Sequence, residues 1–359
     1  MKQIGVGVIG AGWVGGIRAN ACANSAVVAE LHIAETNSDR AVEIAIETGA
    51  TRVTDDWREL VETESVDAII IASAPESARF PIVRAALQAG KHVLVEKPIA
   101  SSPAEADEAI AISEYKGVQL SVGYTRRFDP KYAFVNSAIK RGDIGEPVTC
   151  LVSRNITREI GAKIKGRSKM SPAAMGGTHS IDFLLWCLQP RRPVLVYSQQ
   201  SGKLFNQVSD TPDHQWIMVT MDDGTTLSAG SGWVLPLGYP QYSQSWIEVV
   251  GTDGTLTVDD THRDIQLNTV EHGIRYPLSS MPGEPVDHVF AGAMVDETLH
   301  FVNAIAYDRP VLVTAREARL VMDVTMAADL SAETGRAIEL AGDLTSNKLG
   351  LSQKTRRNG

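Results

Sequence analysis

Short apolar runs alternate with polar, helix-like stretches through the first third of the chain. Residues 4–9, 27–34, 66–72, 92–95 and 119–122 are continuous or nearly continuous apolar segments bounded by glycine, proline or polar turns. Such runs predict parallel strands buried on both faces. Residues 81–89 read as an intervening helix that stops at Gly90, a residue suited to the left-handed cap. Alternation of this kind predicts an α/β fold with a doubly wound parallel sheet. Beyond Gly123 the pattern changes to longer strands over 148–152, 193–199, 216–221, 225–229, 245–250 and 255–258, with Asp222-Asp223-Gly224 as a hairpin turn. The second half therefore predicts an α+β domain with one large, mostly antiparallel sheet covered on one face by helices. An open apolar face on that sheet would pair with another subunit, as a homodimer or homotetramer.

Two helices stand out in this second half. In 177–188 the apolar positions Ile181, Leu184, Leu185 and Leu188 recur at helical spacing. The helix 315–334 has Thr314 as its cap, Glu317 three residues later and Gly335 at its end. The chain of 359 residues exceeds what one hydrophobic core serves. The expected division is 1–123, 124–345 and a flexible tail over 346–359.

Charge and cysteine usage narrow the partners. With 34 basic and 43 acidic side chains the formal charge is −9, which gives no footprint for nucleic acid or an anionic membrane. The basic stretch around Lys354 to Arg357 is expected to be a frayed end. No apolar stretch approaches the roughly 20 residues that span a bilayer, and the apolar N-terminus is the first strand rather than a signal peptide. Cys22, Cys150 and Cys187 are odd in number and widely spaced, so reduced thiols and a cytoplasmic location are expected.

The first strand runs into Gly10-Ala11-Gly12-Trp13-Val14-Gly15. This is the spacing of a turn that admits a pyrophosphate to a helix N-terminus. Glu35 closes the second strand about twenty residues on, where a carboxylate can accept from both ribose hydroxyls. It favours NAD over NADP, with nearby Arg40 keeping NADP open. Ser73-Ala74-Pro75 follows the third long strand and Glu96-Lys97-Pro98 follows the next, both at the sheet edge where ligands bind.

These motifs resemble those of the Gfo/Idh/MocA family of oxidoreductases. The likeness includes the block from Ala89 to Pro98, the block from Gly123 to Pro130, Ile144 to Pro147, and Ile247 to Gly254, spaced over about 330 residues. The resemblance implies a Rossmann NAD domain, a second mixed domain, and a sugar, cyclitol or related polyol as substrate. It also implies that His179 is the general acid or base. On spacing alone such a histidine is more often a structural helix residue than a catalytic one, with Asp182 three positions on and able to face it. The family often has an aspartate one turn before this histidine. Here the position holds Met175, which cannot relay a proton, so either Asp182 or a water takes that role or the chemistry differs from that of the polyol dehydrogenases.

Oxidation of a secondary alcohol needs a base, assigned to His179, and a cation at the developing alkoxide, assigned to Lys97. Glu96 is expected to hold the lysine or the ribose. Arg127 follows the last nucleotide-domain strand and is a substrate candidate, with an ion pair to Asp129 as the structural alternative. Asn155 and Lys163 or Lys165 are further pocket candidates. The run Arg154, Arg158, Lys163, Lys165, Arg167 and Lys169 could draw an acidic sugar or a phosphate, although such charges are more often simply solvated. Glu297 and His300 lie three apart but lack a third ligand, so no metal is expected. Two other classes compete with a dehydrogenase: an NAD-assisted lyase or glycosidase that recycles hydride, and a non-catalytic cofactor-binding regulator, for which Met175 is the only hint.

Overall fold

The structure is a computed structural model that describes residues 2–166, 168–205, 211–260, 265–276 and 284–340. The expected tail, the Lys354 to Arg357 stretch and Arg167 lie outside the described residues.

Six strands form the first sheet: β1 (Ile4–Ile9), β2 (Val28–Ala34), β3 (Arg52–Thr54), β4 (Val66–Ile71), β5 (His92–Val95) and β6 (Leu120–Val122). All pair in parallel, in the order β3-β2-β1-β4-β5-β6. This is the doubly wound order whose direction reverses between β1 and β4, opening a ligand crevice above their carboxyl ends. The helices α1 (Trp13–Ala23), α2 (Ser38–Thr48), α3 (Trp57–Glu62), α4 (Arg79–Gln88) and α5 (Pro103–Lys116) connect the strands. Valine and isoleucine dominate β1 and β4 because both faces are covered, and their side chains are fully or almost fully buried.

After α6 (Pro130–Arg141) the chain enters the second sheet: β7 (Pro147–Thr157), β8 (Pro193–Ser201), β9 (His214–Met221), β10 (Thr226–Leu235), β11 (Ser243–Gly251) and β12 (Thr255–Asp259). Their order is β12-β11-β7-β10-β9-β8, with the short strand Ile338–Glu339 at the edge. Only the β7–β10 pair is parallel. Helices α7 (Arg158–Lys165), α8 (Thr178–Leu188) and α10 (Ala315–Thr334) complete this half. The capping box at Thr314 and Glu317 forms as the sequence predicts, and Gly335 ends α10 in the left-handed conformation. One continuous apolar cluster joins Ile69 and Val95 of the first sheet to Val152 and Val249 of the second and to Phe183 and Leu184 of α8.

Two features depart from the sequence reading. The strand expected over 148–152 is longer: β7 runs on to Thr157, and α7 follows at once. Helix α9 (Ala293–Ala306), late in the chain, packs Phe301, Val302 and Ala304 against Val6, Val8 and Ala19 of the first half. No helix among the described residues is long and apolar enough to cross a membrane, and the three cysteines are buried and unpaired.

Candidate active site

The glycine turn sits at the switch point between β1 and β4. Gly10 takes φ +85°, and a Cβ there would collide with the Ser73 backbone. A Cβ on Gly15 would lie 1.8 Å from the Gly10 carbonyl oxygen, so only glycine permits α1 to start this close to the strand. Gly12 meets nothing within 4 Å and opens its backbone to the crevice. Glu35 accepts from the Ala11 amide at 2.7 Å and the Asn37 amide at 2.9 Å, which aims the carboxylate across the turn. Ser73 Oγ is buried without a partner. An open anion cradle, an oriented carboxylate and an orphaned hydroxyl together fit a dinucleotide. Trp13, Val14, Ala74 and Pro75 stand at the same edge, Trp13 more than half exposed. Arg40 does reach this turn, donating to the Ala11 carbonyl at 2.8 Å, but it is already paired with Glu43 and Glu47.

Lys97 leaves the end of β5 and donates from Nζ to the Met175 carbonyl at 2.9 Å, with the Met175 sulfur 3.5 Å away. Burial pushes its ammonium from an ordinary 10.5 down to about 8; Glu96 opposes the drop, and Arg79 and Arg154 add to it. Met175 belongs to a π-helical turn (Ala173–Gly177) that runs directly into α8, so Lys97 and His179 meet across one helix start. His179 stacks edge-on against Tyr124, ring centres 6.0 Å apart, and neither ring nitrogen has a hydrogen-bond partner among the described residues. Burial, then the charges of Lys97, Arg154 and Arg126, hold it well below the ordinary histidine value. A neutral imidazole beside an ammonium is a base paired with an electrophile.

Several predicted site residues are placed elsewhere. Asp182 does not face His179; both its oxygens accept from Arg127, at 2.6 and 3.0 Å, in a pair that excludes water. Arg127 also donates to Glu317 at 3.0 Å, which joins the start of the second half to α10. Asp129 is not its partner: it caps α6 by accepting from the Lys131 amide. The Glu96 carboxylate turns away from the lysine, binding Arg18 of α1. Lys163 is exposed and pairs with Glu159, while Lys165 is buried against Asp213 at 3.0 Å. Asn155 lies opposite Gly232 and Gln244, on the face of β7 away from Arg154, which lies opposite Ser231 and Ser245. Its Oδ1 is buried without a partner. Glu297 and His300 also serve separate ends, Glu297 binding Arg18 at 2.6 Å and His300 accepting from the Leu312 amide at 2.9 Å.

Two family models together cover most of the chain: an oxidoreductase-family NAD-binding Rossmann fold over residues 4–124 and an oxidoreductase-family C-terminal alpha/beta domain over residues 136–340. The chain belongs to the Gfo/Idh/MocA oxidoreductase family. Among relatives, a scyllo-inositol 2-dehydrogenase (NAD(+)) of Bacillus subtilis is 26% identical over 352 residues, 94% of this chain and 96% of the relative. An inositol 2-dehydrogenase of Rubrobacter xylanophilus is 30% identical over 260 residues, 72% of each chain. In fold, the chain matches a scyllo-inositol dehydrogenase of Lactobacillus casei, solved with NAD(H) and scyllo-inositol, at TM-score 0.81 and 20% identity over 94% of this chain and 99% of the other.

In this Gfo/Idh/MocA chain three further arginines organise the edge, and sequence reasoning passed over two of them. Arg79 of α4 donates to the carbonyls of Ser73 at 2.6 Å and Lys97 at 3.0 Å, fastening the cofactor loop to the lysine. Arg18 is fully buried between Glu96 and Glu297 and also donates to Thr298 at 3.0 Å. Burial pushes Glu297 up to about 7 despite that arginine. Arg154, which sequence reasoning grouped with a solvated basic run, is the member of that run whose charge acts on both His179 and Lys97.

Proposed function

We propose that this protein moves a hydride between NAD(H) and a secondary alcohol or ketone of a sugar, cyclitol or related polyol. The observation that carries the reading is the meeting of Lys97 and the His179 helix start beside a dinucleotide-type turn. Gly10, Gly12 and the start of α1 would hold the pyrophosphate, Glu35 the ribose hydroxyls, and Ser73 a polar group of the cofactor. NAD, when bound, supplies the hydride acceptor. His179 takes the hydroxyl proton, since its two ring nitrogens are unengaged and its surroundings keep it neutral. Lys97, oriented by the Met175 carbonyl, stabilises the negative oxygen that remains. The engagement of Arg40 by two glutamates supports NAD over NADP.

The names of the inositol dehydrogenase relatives support a polyol substrate. The open face of the second sheet carries Leu151, Trp216, Met218 and Trp246, each more than a third exposed, and supports a homo-oligomer formed through that sheet. The test is NADH formation with NAD and a panel of inositols, sugars and sugar acids, with product analysis in parallel. NADH accumulating with one of them is expected. Product without net NADH would instead place the protein among hydride-recycling lyases, and binding of NAD with no product at all would favour a regulator.

A further inference from the structure

We propose that the substrate carries an anionic oxygen group, a carboxylate or a phosphate, and that Arg154 and Arg126 recognise it. The proposal rests on the hydride-transfer reading for the site, but it concerns a different part of the substrate. Arg154 projects from β7 onto the same face as Ser231 and Ser245, and its Nη1 lies 3.6 Å from where a Cβ on Gly176 would stand, between Met175 and His179 in sequence. Arg126 reaches the same place from the domain junction, donating to Ser180 Oγ at 3.2 Å and Ser245 Oγ at 3.4 Å, and lies over the Tyr132 ring.

Neither guanidinium forms an ion pair with a carboxylate among the described residues. The acids of the surrounding elements are committed elsewhere: Asp182 to Arg127, Glu96 to Arg18, and Asp260 to Lys131 and Tyr132. Arg154 lies near Arg126 and the phenols of Tyr132 and Tyr242. Lys97 adds a third cation, with Glu76 and Glu96 as the acids acting on it, and Met175 brings a thioether rather than a charge. A half-buried guanidinium without a counter-ion carries a desolvation cost, and two beside the Lys97 ammonium more so. An anionic substrate removes that cost on binding. The planar fork of arginine also matches carboxylate and phosphate geometry.

The test uses matched sets: D-glucose, D-glucuronate and D-glucose 6-phosphate, and the corresponding galactose compounds. In the full-length protein with NAD, kcat/KM for the anionic member is expected to exceed the neutral one by on the order of 10- to 100-fold, the usual worth of a charge-assisted hydrogen bond. The phosphate and carboxylate arms distinguish the two sources of charge. Arg154→Gln should shrink the anionic-to-neutral ratio at least to about a tenth, whereas Lys163→Gln, on the exposed face of α7, should leave the ratio unchanged. Calorimetric binding of the same anions to NAD-loaded protein gives a readout that needs no turnover. Anion binding lost in Arg154→Gln, with NADH never formed, keeps this site and removes the hydride-transfer reading. Equal kcat/KM across each set, or anion binding indifferent to Arg154→Gln, overturns the proposal and leaves the hydride-transfer reading standing.

Discussion

Replacing Lys97 with methionine should make the protein more heat-stable at pH 7 while stopping turnover. The buried ammonium is held at about 8 against an ordinary 10.5, and that difference corresponds to about 3 kcal/mol of destabilisation while the group is charged. Methionine removes the charge and keeps the length, but gives up the bond to the Met175 carbonyl, worth on the order of 1–2 kcal/mol. The net gain is about 1–2 kcal/mol at pH 7, or a few degrees in Tm. The pH dependence has a fixed sign. Between about 8 and 10.5 the unfolded chain binds more protons at this lysine than the folded one, so the wild type gains stability as pH rises through that window. Lys97→Met lacks the titration, and its advantage should vanish by about pH 10. Differential scanning calorimetry of both proteins between pH 7 and pH 10, with NADH formation measured in parallel, reads this out. A variant less stable than wild type at pH 7, or a Tm difference that does not change with pH, would refute the picture of a cation kept in an unfavourable place for its chemistry.

His179→Asn should lower kcat for alcohol oxidation by about 100- to 10,000-fold. The wild-type acid limb, from a base held below 6.5, should be absent from the residual rate, and an intact limb in the variant would assign it to another group. The alkaline limb of wild-type kcat/KM should fall off above about 8 as Lys97 loses its proton, and activity rising steadily to pH 10 would contradict its role as the cation. Glu35→Ala should narrow the preference for NAD over NADP in steady-state kinetics; an unaltered ratio would mean another group reads the ribose. Asp182→Asn should cost about 3–5 kcal/mol in chemical denaturation by stranding the Arg127 guanidinium, and a loss under 1 kcal/mol would show the pair to be dispensable.

What the sequence made legible was local. The glycine turn, the buried strands and the cap of α10 are written in neighbouring residues, and they appear where the pattern put them. What it did not show was long-range pairing. Arg18, Glu96 and Glu297 are far apart in the chain and join only when α9 folds back on α1. Arg127 and Asp182 each carry features of a ligand contact, yet they cancel one another across the domain junction. One signal was present and went unused. Cys150 and Val152 face the core, so the two-residue repeat of β7 sends Arg154 to the inner face and Asn155 to the other.

The return of α9 to the first sheet also fixes how this protein can be recombined. Glu297 and Thr298 grip the helix that begins at the cofactor turn, although they lie after almost all of the second sheet in the chain. A chimera cut once near Gly123 would therefore exchange a piece of the nucleotide-binding half along with the substrate-binding half. Specificity grafts should use three crossovers, near Gly123, just before Ala293 and between Ala306 and Thr314, so that the donor supplies β7 to β12 and the α10 that packs on them while the recipient keeps its own α9.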